Sequence, residues 1–186
     1  MSIFGNRRRL PRDLRQRGNS SRPHGRSKAA PCMNSDFKDL LTDLNDFQVK
    51  YLVVGGYAFI HYVEPRYTKD IDIWLEPTPD NAIRLRDALV RFGGWVEGMS
   101  LEHFSMERTM FQIGLPPARV DFLTSIPGLV FDSAYAGRKT VIIGDMTVPF
   151  ISLPDLMIAK KVAGRPQDLI DLEALQRVAT TEITGG

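Results

Sequence analysis

The sequence has one cysteine, Cys32, three histidines and no long apolar run. A lone cysteine excludes an intramolecular disulfide and fits a reducing compartment; with no Cys or His neighbours it reads as a bystander. His24, His61 and His103 are far apart and lack zinc-ligand spacing, which argues against zinc chemistry. A membrane span needs about 20 consecutive apolar residues. Every apolar stretch here is broken much sooner by Gly, Pro or charge.

Acids are scarce at the N-terminus. Residues 1–31 hold eight arginines and one lysine against a single acid, Asp13. Such a stretch has too few large apolar residues to offset the entropy of ordering, so residues 1–32 are expected to form a disordered basic arm. Its arginines suit nucleic-acid phosphates. A solvated tail, an extension upstream of a true start at Met33, or an Arg- and Ser-rich transit leader explains the same composition. No helix-turn-helix or zinc signature supports sequence-specific DNA binding. The rest of the chain is acidic, with 15 Lys+Arg against 21 Asp+Glu. With 43% hydrophobic residues overall, residues 33–186 are expected to form one globular, cytoplasmic domain.

Periodicity gives the elements. Phe37, Leu40, Leu41, Leu44 and Phe47 form a helical stripe, capped by Asn34 or Ser35. Tyr51–Val54 reads as a strand, and Gly55-Gly56 open a helix from Tyr57 to Val63 that Pro65 ends. Strand Asp70–Leu75 precedes a helix over Asn81–Phe92, stopped by Gly93-Gly94. The stretch from Trp95 to Arg108 carries no readable period. Strands follow at Thr109–Ile113 and Arg119–Leu123, then a hairpin of Thr140–Ile143 and Met146–Phe150 about Gly144-Asp145. Ser152 caps a helix running to about Ala163, and Gln167–Val178 form the last. The class is α/β (α+β): a mixed sheet flanked by helices, with no internal repeat.

Three features carry chemistry. Gly55-Gly56 between a strand and a helix let a phosphate approach the backbone at a helix N-terminus, although two glycines also serve a simple tight turn. Asp70 and Asp72 alternate with Ile71 and Ile73, so in a strand both carboxylates share one face, about 6.6 Å apart. That span suits a pair of hard cations about 3.5–4 Å apart. Aspartates are poor strand formers and repel one another, so the pair is either a solvated edge or a cation site. Asp121 likewise interrupts an apolar strand, and all three acids converge if the two strands pair.

Val54-Gly55-Gly56, then Asp70-Ile71-Asp72, then Asp121 on a later strand, resemble the nucleotidyltransferase superfamily with the DNA polymerase β-like fold. The resemblance runs from about Asn34 to Ala179. The phrase Arg66-x-Thr68-Lys69-Asp70-Ile71-Asp72 and the tail Ser152-Leu153-Pro154-Asp155-Leu156, Lys160, Gly164-Arg165-Pro166-Gln167-Asp168 and Asp171 are similar to small bacterial members of the AbiEii and minimal types.

The resemblance implies an enzyme moving an NMP from an NTP to a hydroxyl acceptor, with release of pyrophosphate. Asp70 and Asp72 would hold two Mg²⁺, and Asp121 would complete the metal site and activate the acceptor. Gly55 and Gly56 would hold phosphates. Arg66 would contact phosphate or pair with Glu64, and Lys160 would reach the β/γ-phosphates or lie in solvent. Lys69 should point away from the site, and Arg165 with Asp168 reads as a local ion pair. Tyr57 replaces the serine common in relatives, which puts the triphosphate contacts in question. The acceptor is open between RNA, protein and a small molecule. AbiEii-type members imply a toxin–antitoxin role with an antitoxin-like protein partner. The alternative is an inactive module of the same fold that binds a protein or RNA.

Overall fold

The computed structural model describes residues 33–184 apart from 65–67, 69, 96–98 and 116–117. The basic arm, Cys32, Arg66 and Lys69 lie outside the described residues.

Thirteen elements follow in order: α1 (Ser35–Asp46), β1 (Tyr51–Val54), α2 (Gly55–Tyr62), β2 (Asp70–Leu75), α3 (Pro79–Phe92), α4 (Leu101–Ser105), β3 (Met110–Ile113), β4 (Arg119–Leu123), α5 (Phe131–Ala136), β5 (Lys139–Ile143), β6 (Met146–Phe150), α6 (Leu153–Ala163) and α7 (Pro166–Thr184). The expected strands and longer helices are present. The short helices α4 and α5 are additions, because five or six residues cannot display a helical period.

The strands form one mixed sheet in the order β3-β4-β2-β1-β6-β5. β1 runs antiparallel to β2 and parallel to β6, and β2 runs parallel to β4. β1 is buried along its whole length, as its unbroken Tyr-Leu-Val-Val run requires. Ile71 and Ile73 fill the core from one face of β2. Asp70, Asp72 and Trp74 occupy the other.

Local chemistry sets the helix ends. The Asn34 side chain accepts from the Asp36 N–H at 3.0 Å, the Thr78 hydroxyl from Asn81 N–H at 3.3 Å, and the Ser152 hydroxyl from Asp155 N–H at 3.2 Å. Gly164 ends α6 in the left-handed conformation at φ +62°, which lets α7 fold back on α6. Asn81, buried at the start of α3, accepts from Lys50 N–H at 2.8 Å. Its amide donates to the carbonyls of Lys50 (2.9 Å) and Glu76 (3.1 Å). One side chain thus ties the entry of β1 to the exit of β2 and so helps fix their register.

Candidate active site

The parallel pairing of β2 with β4 sets Asp72 opposite Asp121 and Asp70 opposite Arg119. Side chains of paired residues share a face, so Asp70, Asp72, Arg119 and Asp121 form one charged patch on the sheet. Trp74 and Leu123, also paired, continue that face as an apolar floor.

The glycine turn comes against Asp72. Gly55 has φ +60°, and a Cβ built on it would lie 2.0 Å from Asp72 Oδ2. A Cβ on Gly56 would lie 2.8 Å from the Thr68 hydroxyl. Only glycines allow α2 to begin this close to the acid. The Gly56 N–H points to Asp72 Oδ2 at a long 3.4 Å. Val54 at the N-cap offers no side-chain bond, so the positive end of α2 faces the acids uncapped. Tyr57 turns away from this turn into the core, edge-on to Phe37 at 5.7 Å.

Burial pushes the Asp72 carboxyl up to about 6; Gly56 N–H and Lys160 oppose this, and the Asp121 and Asp70 charges add to it. Asp121 is also raised by burial, against the pull of Arg119. The Arg119 Nη2 lies 2.5 Å from Asp70 Oδ2 and 3.2 Å from Asp121 Oδ2, and its Nε lies 3.1 Å from Asp121 Oδ1. Sequence reasoning passed over Arg119. Its place two residues before Asp121 on a strand was the available sign that it shares the acidic face.

The donors suit a hard divalent cation. They are all oxygen, and Asp70 Oδ1 and Asp121 Oδ1 are buried without a hydrogen-bond partner. The strands pair as expected, but convergence is incomplete. Among the described residues no three acids gather tightly enough to form a metal-holding group, and the Arg119 guanidinium bridges Asp70 and Asp121.

Lys160 is buried, with Nζ 2.7 Å from Asp168 Oδ1 and 2.8 Å from Asp171 Oδ2. It is neither solvated nor free. Asp168 therefore pairs with Lys160 and not with Arg165. Arg165 is exposed, with no ion-pair partner among the described residues, and it stands at the boundary of two adjoining cavities. The smaller, about 320 Å³, is walled by Gly55, Gly56, Asp72, Lys160 and Arg165. The larger, about 740 Å³, lies on the Asp121 side over Trp74, Leu129 and Phe131. Trp74 is 1% exposed, and its indole N–H has no partner.

Residues 33–183 match the model of a family described as nucleotidyltransferase of unknown function (DUF6036). The chain belongs to this family. The match covers every described element of this nucleotidyltransferase except the last residue of α7. No curated protein matches the sequence. Among solved structures, the fold is similar to that of the lincosamide antibiotic adenylyltransferase LnuA in its lincomycin-bound form. Identity is 15% and the TM-score 0.53, over 78% of this chain and 98% of that one. It is also similar to the antibiotic-resistance factor ANT(2'')-Ia, at 15% identity and a TM-score of 0.51, over 79% and 82% of the two chains. These likenesses show a shared fold. Among the described residues no helix is long and apolar enough to cross a membrane.

Proposed function

We infer that this nucleotidyltransferase moves an NMP from an NTP to a hydroxyl group of a small molecule. The observation that carries the reading is the facing pair Asp72 and Asp121, with the glycine-led N-terminus of α2 set against Asp72. The smaller cavity takes the triphosphate: Gly55 and Gly56 admit it, the uncapped N–H groups of α2 face it, and Arg165 meets it from the rim. Asp70 and Asp72 are the residues to hold Mg²⁺, with Asp121 beside them; the metal when bound would stabilise the attacking and leaving oxygens.

Asp121 lines the larger cavity and not the smaller. This supports assigning it to the acceptor's side. Its carboxylate takes the proton of the acceptor hydroxyl, and burial favours this by raising its basicity. The acceptor oxygen forms a bond to the α-phosphorus as the bond from that phosphorus to the β-phosphate oxygen breaks. Pyrophosphate leaves with those electrons.

A small acceptor is favoured over RNA or protein by the size of the cavity and by its aromatic floor. One fold relative is named as a lincosamide antibiotic adenylyltransferase in its lincomycin-bound form. The reading carries a cytoplasmic setting, where nucleoside triphosphates are held.

The test incubates the protein with each α-labelled NTP and Mg²⁺ against three fractions of cell extract: small molecules, RNA and protein. Asp70→Ala/Asp72→Ala serves as the control. Label in the small-molecule fraction, lost in the control, is the expected result. Label on RNA or protein would replace the small acceptor with a macromolecular one, as a toxin with an antitoxin-like partner requires. No transfer and no nucleotide binding would leave an inactive binding module.

A further inference from the structure

We propose that Arg119 is a resident cation of the acidic site, so that the centre takes one divalent ion with the nucleotide where its acids would otherwise take two. The proposal rests on the nucleotidyltransferase reading and concerns what fills the site.

An arginine on a strand face ordinarily sends its guanidinium into water along an apolar stem. Arg119 does the reverse. Its side chain is 32% exposed and lies across the patch between Asp70 and Asp121. The backbone leaves it little alternative, because the β2–β4 register sets Arg119 opposite Asp70 and two residues from Asp121 on the same face.

The carboxylate oxygens can be followed one by one. Arg119 Nη2 donates to Asp70 Oδ2 and Asp121 Oδ2, and its Nε lies 3.1 Å from Asp121 Oδ1 at ion-pair range without a hydrogen bond. Clear of the guanidinium are Asp70 Oδ1, buried and unpartnered, and the Asp72 carboxylate, which among the described residues accepts a long 3.4 Å contact from Gly56 N–H. That remainder supplies the two carboxylates with which Mg²⁺ is commonly bound, the other positions going to phosphate oxygens and water. A second ion would need Asp121, both of whose oxygens lie at ion-pair range of Arg119. It would either expel the guanidinium or lie beside a fixed positive charge at ion-pair range, which is strongly unfavourable in a half-buried site. Asp121 then works as a base positioned by Arg119 and not as a metal ligand.

Lys160 does not take this role. Its Nζ is engaged by Asp168 and Asp171 on α7. Among the described residues, Arg119 is the cation in direct contact with the proposed metal-site acids.

The measurement is Mn²⁺ bound per protein, by equilibrium dialysis with a non-hydrolysable α,β-methylene NTP at matched concentration on both sides. The wild-type chain is expected to bind one ion beyond the nucleotide blank. Arg119→Ala should bind two, and Arg119→Lys, which keeps the charge, should return to one. Arg119→Gln repeats the neutral variant if Arg119→Ala does not fold, with circular dichroism confirming the fold of each protein. Two ions on the wild type, or one on both neutral variants, would overturn the proposal and leave nucleotidyl transfer standing. No Mn²⁺ and no nucleotide on any of the folded proteins would remove the transferase reading itself.

Discussion

Gly55 and Asp72 sit against each other with no room for a single added carbon: a Cβ at Gly55 would meet Asp72 Oδ2 at 2.0 Å. The contact joins the strand-to-helix turn to the acid that it faces. It also explains why the glycine at φ +60° cannot be exchanged for a residue that merely tolerates that conformation.

Gly55→Ala should therefore lose both stability and activity. The left-handed backbone and the displaced carboxylate together should cost at least about 2 kcal/mol. Transfer should fall by roughly 100-fold or more, since a shift of about 1 Å at the reacting centre has that effect. Thermal melting and pyrophosphate release measure the two separately.

Asp72→Asn should abolish transfer yet stabilise the metal-free protein at pH 7. The folded-state carboxyl titrates near 6, above the ordinary 3.8, so folding favours its protonated form. The cost of ionising it is complete above pH 6 and is relieved as pH falls from 6 toward 4. Urea unfolding in a chelator should show the wild type gaining about 1–2 kcal/mol across that window relative to Asp72→Asn. A parallel pH dependence in the two proteins would contradict this.

Lys160→Met should unfold the contact between α6 and α7 more than it alters catalysis. It leaves Asp168 and Asp171 buried without their cation, a loss of about 3–5 kcal/mol. Adding Asp168→Asn and Asp171→Asn should restore much of it. A single variant as stable as wild type, with only a raised KM for NTP, would make Lys160 a phosphate contact.

Arg165→Ala should show the opposite pattern. The side chain is exposed and makes no ion pair among the described residues, so melting should be unchanged. The KM for NTP should rise roughly 10-fold, the worth of a charge-assisted bond to phosphate.

Much of this site is legible in the sequence because it is local. The alternation of Asp70-Ile71-Asp72-Ile73 within one strand fixes which side chains share a face, and Gly55-Gly56 mark the turn without reference to anything distant. The pairing of Asp72 with Asp121 is different. It depends on β4 returning parallel beside β2 after α3, α4 and β3, and one sequence does not encode that register in any short pattern. Lys160 was ambiguous for the same reason. Its burial depends on the reversal at Gly164, which brings Asp168 and Asp171 over it. Arg119 has a local sign, but an arginine at the first position of a strand reads as a solvated strand end until its neighbour Asp70 is known.

The order of the sheet has a consequence for how the molecule wears out. β2 and β4 each have a strand on both sides, whereas β3 and β5 are edges. The acids thus ride on interior rungs, while Met110 of the larger cavity belongs to an edge and is 60% exposed. On warming, edge strands open before interior ones. Amide exchange should therefore erode the cavity wall at β3 first and reach Asp72 and Asp121 last. A gently heated sample would lose the wall of its larger cavity while its acids still stood face to face.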